Sequence, residues 1–277
     1  MSSQIHTGYV EVNGGKLYYE IAGEGHPLTL IHGGLVDRRL WDDQFAAFAQ
    51  HYRTLRYDIR GFGNSSVPTD GDYTMVDDLY ALLKSLGIEK TYLMGLSLGG
   101  GISIDFTLAH PAMVDALTTV GAGVSGFEWP ESEEMRKLGE TIDAALKAGD
   151  FEKVVEIENR MWTDGPNRTP DQVDPTVRAR VHEMNLHNYA LQTEDTPSPR
   201  PPEQPALPRL AEIHTPTLVI VGDEDVEPIQ QLAETLATNI PGAKKAVIHN
   251  AAHHPNMEHP EQFNRIVLDF LASLQNT

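Results

Sequence analysis

The chain has 277 residues, 40% of them apolar, enough for one large domain with a substantial core. Its 21 basic residues against 40 acidic ones leave a formal charge of −19, which repels phosphate backbones and anionic bilayers and argues against nucleic acid or membrane as partner. There is no cysteine, so disulfides, thiolate nucleophiles and cysteine-ligated zinc are excluded.

The opening residues, Met-Ser-Ser-Gln-Ile-His-Thr-Gly, lack the basic start and apolar stretch of a secretory signal. No apolar run approaches bilayer thickness, so a cytoplasmic protein is expected. Residues 9–12 and 16–21 are short β-prone runs across Asn13-Gly14-Gly15, which predicts an antiparallel hairpin. Residues 28–31, 53–57, 91–94, 117–120, 217–221 and 245–248 are brief apolar or β-branched runs that read as buried strands. Between them Leu40, Phe45 and Phe48, and then Met75, Leu79, Leu82, Leu83 and Leu86, recur at helical spacing and present one apolar face each. Strands alternating with helices imply an α/β fold built on a mostly parallel, doubly wound sheet.

The alternation stops after Gly121. Residues 127–207 read as helices with no convincing strand among them, an inserted helical cap. The stretch 196–208, six of its thirteen residues proline, is then a stiff, extended return. The expected organisation is a core domain of residues 1–126 and 208–277 carrying a cap, or lid, of residues 127–207.

Gly95-Leu96-Ser97-Leu98-Gly99-Gly100 lies between the strand at 91–94 and a helix-prone run from Gly101 to His110. Strand, Gly-x-Ser-x-Gly and helix in that order form the setting of a nucleophile elbow, whose tight turn lifts the serine above the sheet edge. The helix that follows aims its positive end at charge developing on a substrate oxygen. The same residues would also fit a glycine-rich turn in which Ser97 only caps the helix. A serine hydroxyl is a weak nucleophile at neutral pH and needs a base oriented by an acid. Late in the chain Asp223, Glu224 and Asp225 are the candidate acids, and His249, His253 and His254 the candidate bases.

Four separated motifs, His32-Gly33-Gly34, Asp58-Ile59-Arg60-Gly61-Phe62-Gly63-Asn64-Ser65, the elbow, and Gly222-Asp223-Glu224-Asp225 with Ala252-His253, occur in the order in which the α/β-hydrolase superfamily carries them. The chain resembles that superfamily over its whole length outside the cap, and within it the serine hydrolases of carboxylesterase or lactonase type. The resemblance implies Ser97 as nucleophile and Asp225 as acid, with Asp223 and Glu224 shaping the loop. Aligned on Pro255, the family's Gly-x-Gly-His-x-Pro pattern makes His253 the base. Here Asn250-Ala251-Ala252 replaces the glycines and His254 fills a position usually apolar or aromatic, so His254 stands as the alternative. His249 and His259 read as structural or surface residues.

The resemblance further implies an oxyanion hole from the backbone N–H groups of Leu98 and Gly34, with Leu35 as alternative second donor. His32 and Arg60 are expected to hold loops rather than react. Leu35, Phe127, Trp129 and Trp162 are candidates for the substrate pocket, although aromatic residues at helical spacing more often pack internally. The implied activity is cleavage of a small carboxylic ester through an acyl-enzyme, without metal or cofactor. Lactone hydrolysis, carbon–carbon bond hydrolysis and cofactor-free perhydrolysis would use the same triad, and a receptor-like member with little turnover is a further alternative. Dehalogenases and epoxide hydrolases of this family carry an aspartate where this chain has Ser97. The oligomeric state is left open.

Two motifs point elsewhere. Gly121-Ala122-Gly123-Val124-Ser125-Gly126 has dinucleotide-binding spacing, but it precedes the cap instead of opening a βαβ unit and reads as a hinge. His182 and His187 stand five apart, the wrong spacing for a shared metal on one helical face.

Overall fold

The computed structural model describes residues 4–130, 132–191 and 195–274. Residues 1–3, 131, 192–194 and 275–277, which fall within the ranges assigned above to core and cap, lie outside the described residues. The chain opens with β1 (His6–Val12), β2 (Gly15–Ala22) and β3 (Pro27–Ile31), followed by α1 (Asp42–Phe48), β4 (Arg53–Tyr57), α2 (Met75–Ser85) and β5 (Thr91–Leu96). Then come α3 (Leu98–Ala109), β6 (Val114–Val120), α4 (Glu133–Lys147), α5 (Phe151–Glu158) and α6 (Pro175–Leu191). The chain closes with β7 (Thr217–Gly222), α7 (Glu227–Asn239), β8 (Lys244–Ile248), the single turn α8 (Pro255–Glu258) and α9 (Pro260–Leu274).

All eight strands form one sheet in the order β1-β2-β4-β3-β5-β6-β7-β8. The β1–β2 hairpin joins β4 in antiparallel fashion, and every other pairing is parallel. Apolar groups alternate between the two faces as strand geometry requires. Leu28, Leu30, Met94, Leu218 and Ile220 pack with Trp41, Phe48, Phe263 and Val267 on the α1/α9 face. Ile31, Leu55 and Leu93 meet Leu79, Leu82 and Phe106 from α2 and α3, while Leu117 and Val219 meet Ile229, Leu232 and Leu236 from α7.

The chain leaves β3 for β4 on one side, and β5 then lies on the other side of β3. The loops beyond the carboxyl ends of β3 and β5 therefore diverge and leave a crevice, the place where open α/β sheets bind ligands. Between β6 and β7 the described residues are helical or irregular, without a strand. Ser132 and Asp150 cap α4 and α5 by accepting from the Met135 and Lys153 amides. From Asn159 to Asp164 the chain makes a π-helical turn, a form often found at functional sites. In α6, Val177, Val181 and Met184 join the α1/α9 core, so the inserted helices are packed onto the sheet domain.

Candidate active site

Ser97 follows β5 directly and has φ 53° and ψ −113°, a conformation in which a non-glycine residue stores strain on the order of 1–3 kcal/mol. Three backbone hydrogen bonds hold it there. Its N–H donates to the Val120 carbonyl (2.9 Å), and its own carbonyl accepts from Gly101 (3.0 Å) and Gly123 (3.1 Å). The flanking glycines follow from close approach. A Cβ at position 95 would lie 2.0 Å from the Gly99 carbonyl oxygen, and one at position 99 would lie 2.4 Å from the carbonyl oxygens of Ile31 and His32.

Asp225 sits in the turn after β7 and is 1% exposed. Its Oδ2 is 2.7 Å from His253 Nδ1, its Oδ1 accepts from the Val226 amide at 2.8 Å, and its carbonyl accepts from Gln230 at 2.6 Å. With a carboxylate on Nδ1 the imidazole donates there, which leaves Nε2 as an acceptor. Room for the pair comes from the end of β6: a Cβ on Gly121 would lie 3.1 Å from His253 Nδ1 and 3.3 Å from Asp225 Oδ2. The π-helical turn closes over the histidine, whose N–H donates to the Trp162 carbonyl at 3.1 Å while the two rings meet at 4.7 Å.

The loop after β3 is anchored by His32. Its Nε2 accepts from the Ile59 amide (2.9 Å), so Nδ1 carries the proton and donates to the Gly33 carbonyl (2.7 Å). Burial, only partly offset by Asp58, lowers its pKa and keeps it neutral. Arg60 is occupied by a bidentate pair with Asp78, at 2.6 and 2.8 Å. From α6, Asn188 accepts from the Gly63 amide and donates to the Leu35 carbonyl, both at 2.9 Å, joining the inserted segment to the loops after β4 and β3. Leu35 itself has φ 67°.

Ser97, His253, Gly34, Leu98, Leu35 and Trp162 line one cavity of about 200 Å³, with Asp225 behind His253. Phe127 and Trp129, expected in the pocket, lie outside this lining. Phe127 packs on the β6/β7/α7 cluster. Trp129, 47% exposed, meets Trp162 edge-on at 6.2 Å and faces two other cavities, one of about 880 Å³ shared with Met135, Met161 and Val226 and one of about 890 Å³ that reaches Leu98. His254 also lines the Ser97 cavity but is fully buried, and burial together with neighbouring His253 presses its pKa down to about 3. The Asp225 contact belongs to His253, while His249 pairs with Asp223 at the surface (2.7 Å).

The family model of the alpha/beta hydrolase fold matches residues 26–260. The chain belongs to the α/β-hydrolase family. Among its relatives are carboxylesterase YbfK of Bacillus subtilis, 26% identical across 95% of this chain and 86% of that protein, and a 2-hydroxy-6-oxononadienedioate/2-hydroxy-6-oxononatrienedioate hydrolase of Paraburkholderia xenovorans, 28% identical across 93% and 91%. The crystal structure of the enol-lactonase from Burkholderia xenovorans LB400 superposes with a TM-score of 0.79 at 26% identity, covering 96% of this chain and 100% of that one. The protein is a hydrolase, in a family with ester-cleaving members.

Several residues of this hydrolase's site carry no sequence signal of their own. Arg168, in the inserted segment, pairs with Glu258 at 2.7 Å and donates to the carbonyls of Thr163, Asp164 and Asn250. Glu258 in turn accepts from the Ala252 amide at 2.7 Å, fixing the loop that carries His253. The Gly121-to-Gly126 motif belongs to the same scaffold: Gly121 clears the Asp225–His253 pair, Gly123 binds the Ser97 carbonyl, and Ser125 accepts from the amides of Ala206 and Leu207 in the proline-rich return. These bonds secure a segment that its glycines suggested was a hinge. His182 pairs with Glu152 (3.0 Å), and His187 lies 3.3 Å from the Gly63 carbonyl.

Among the described residues no helix is long and apolar enough to cross a membrane.

Proposed function

We propose that this hydrolase cleaves small carboxylic esters through an acyl-enzyme formed on Ser97. The observation that carries the reading is the buried Asp225–His253 hydrogen bond of 2.7 Å, with His253 and Ser97 on one cavity. His253 Nε2 takes the proton as Ser97 Oγ attacks the carbonyl carbon, and Asp225 holds the tautomer and stabilises the imidazolium. The N–H groups of Gly34 and Leu98 receive the oxyanion, a contribution of about 3–4 kcal/mol per donor in such sites. His253 then protonates the departing alcohol, and water activated by the same nitrogen releases the acid. Residues 127–207 act as the cap over a core of residues 1–126 and 208–277. The immediate cavity of about 200 Å³ favours a small group beside Ser97, while Leu98 also borders a cavity of about 890 Å³.

Ring-opening of a lactone follows the same steps, and the likeness to the enol-lactonase supports it as the second reading. Labelling by a fluorophosphonate, abolished in Ser97→Ala, together with turnover of short-chain aryl esters beside lactones, tests both. Folded protein that neither labels nor turns over either class refutes them.

A further inference from the structure

The inserted segment satisfies most of its buried polar groups. Asp164 binds Arg160 and Arg178, Arg168 has Glu258 and three carbonyls, and both ends of the Asn188 amide are used. Against that background, three side chains on the Ser97 cavity stand out. Glu158 Oε2, Asn185 Oδ1 and His254 Nδ1 are buried without a hydrogen-bond partner, on residues 8%, 2% and 4% exposed. They are three of the eight such atoms among the described residues, gathered on one small cavity. Buried polar groups are ordinarily paired, by protein or by ordered water, and unpaired ones gathered on a binding cavity are groups that a ligand can satisfy.

We propose that Glu158, Asn185 and His254 form a polar subsite that hydrogen-bonds a hydroxyl group carried by the substrate beside the bond Ser97 attacks. The inference rests on the hydrolase reading above and deepens it by naming the substrate as a hydroxy ester. The Glu158 carboxyl is held in place by Tyr189, whose hydroxyl donates to Oε1 at 2.6 Å and whose ring stacks on Phe151, so that Oε2 is the free oxygen, a donor while the carboxyl holds its proton and an acceptor once it is ionised. Asn185 presents a second acceptor, and the neutral imidazole of His254 presents a nitrogen that donates or accepts according to tautomer. A hydroxyl donates and accepts at once, which suits this mixed set.

The test uses isosteric pairs with the hydroxyl on either side of the ester. On the acyl side, p-nitrophenyl 3-hydroxybutanoate is compared with p-nitrophenyl 3-methylbutanoate. On the alcohol side, 2-hydroxyethyl butanoate is compared with propyl butanoate. A site with buried groups awaiting a hydroxyl rejects the analogue that lacks it, so kcat/KM is expected to favour the hydroxyl member of one pair by about tenfold or more. In Glu158→Met, and independently in Asn185→Leu, that ratio falls to within about threefold of unity, while Glu158→Gln retains part of it. Wild-type ratios within about threefold for both pairs overturn the subsite but leave the ester hydrolase intact, provided fluorophosphonate still labels Ser97. A preference that survives in both Glu158→Met and Asn185→Leu also overturns it. Absence of both labelling and turnover in folded wild-type protein refutes the Ser97 ester-hydrolase reading, and the subsite with it.

Discussion

Replacing Glu158 with glutamine is expected to change how stability depends on pH, by an amount that follows from burial. The carboxyl is raised from 4.5 to about 7 chiefly by its removal from water, an effect that the hydrogen bond from Tyr189 opposes. Between those values the folded protein keeps the proton and the unfolded chain has lost it. The unfolded state then binds fewer protons, and stability falls as pH rises; above the folded value both states are ionised and the contribution is flat. Integrating the two titrations from pH 5 to pH 8 gives a loss of about 2.5 kcal/mol from this one group. Glutamine has the same shape, still accepts from Tyr189 and does not titrate. Urea unfolding of both proteins at pH 5, 6, 7 and 8 isolates the effect as the difference between their stabilities. Relative to Glu158→Gln, the wild type should lose roughly 2–3 kcal/mol across that range, most of it between pH 5 and 7. Parallel stability profiles would refute the reasoning, because they would mean that Glu158 ionises in the folded protein much as it does in the unfolded chain.

Three further outcomes follow from the geometry. With the Val226 amide holding the remaining oxygen, Asp225→Asn turns an N–H toward His253 Nδ1 and reverses the tautomer, and kcat for ester hydrolysis should fall on the order of 10³- to 10⁴-fold with thermal stability little altered; a loss under tenfold would count against the pair. Gly99→Ala places a methyl group 2.4 Å from two carbonyl oxygens at the end of β3, and calorimetry should record a destabilisation of about 3 kcal/mol or more, or no folded protein. Arg168→Met leaves Glu258 buried without its cation and should cost about 3–5 kcal/mol in urea unfolding. Adding Glu258→Gln keeps an acceptor for the Ala252 amide and should recover part of that loss; a double variant no more stable than the single one would contradict the ion-pair explanation.

Local pattern was enough to read the sheet and the order of its elements. The eight observed strands overlap the eight runs read from residues 9 to 248, because two-residue alternation and brief β-branched runs are properties of neighbouring positions. The elbow was legible for a similar reason: Gly95 and Gly99 record steric contacts within a single turn and with the adjoining strand. Pairing Asp225 with His253 already required family resemblance, since 28 positions separate them and nothing local distinguishes His253 from His254. The tertiary structure alone decided which inserted side chains face Ser97. The π-helical turn brings Trp162 to the cavity and leaves Trp129 outside, and the packing of α5 and α6 over the sheet edge brings Glu158 and Asn185 beside a serine encoded about sixty to ninety positions earlier. Helical periodicity records that a residue faces inward; which cavity it meets depends on how whole elements dock, through contacts distant in sequence.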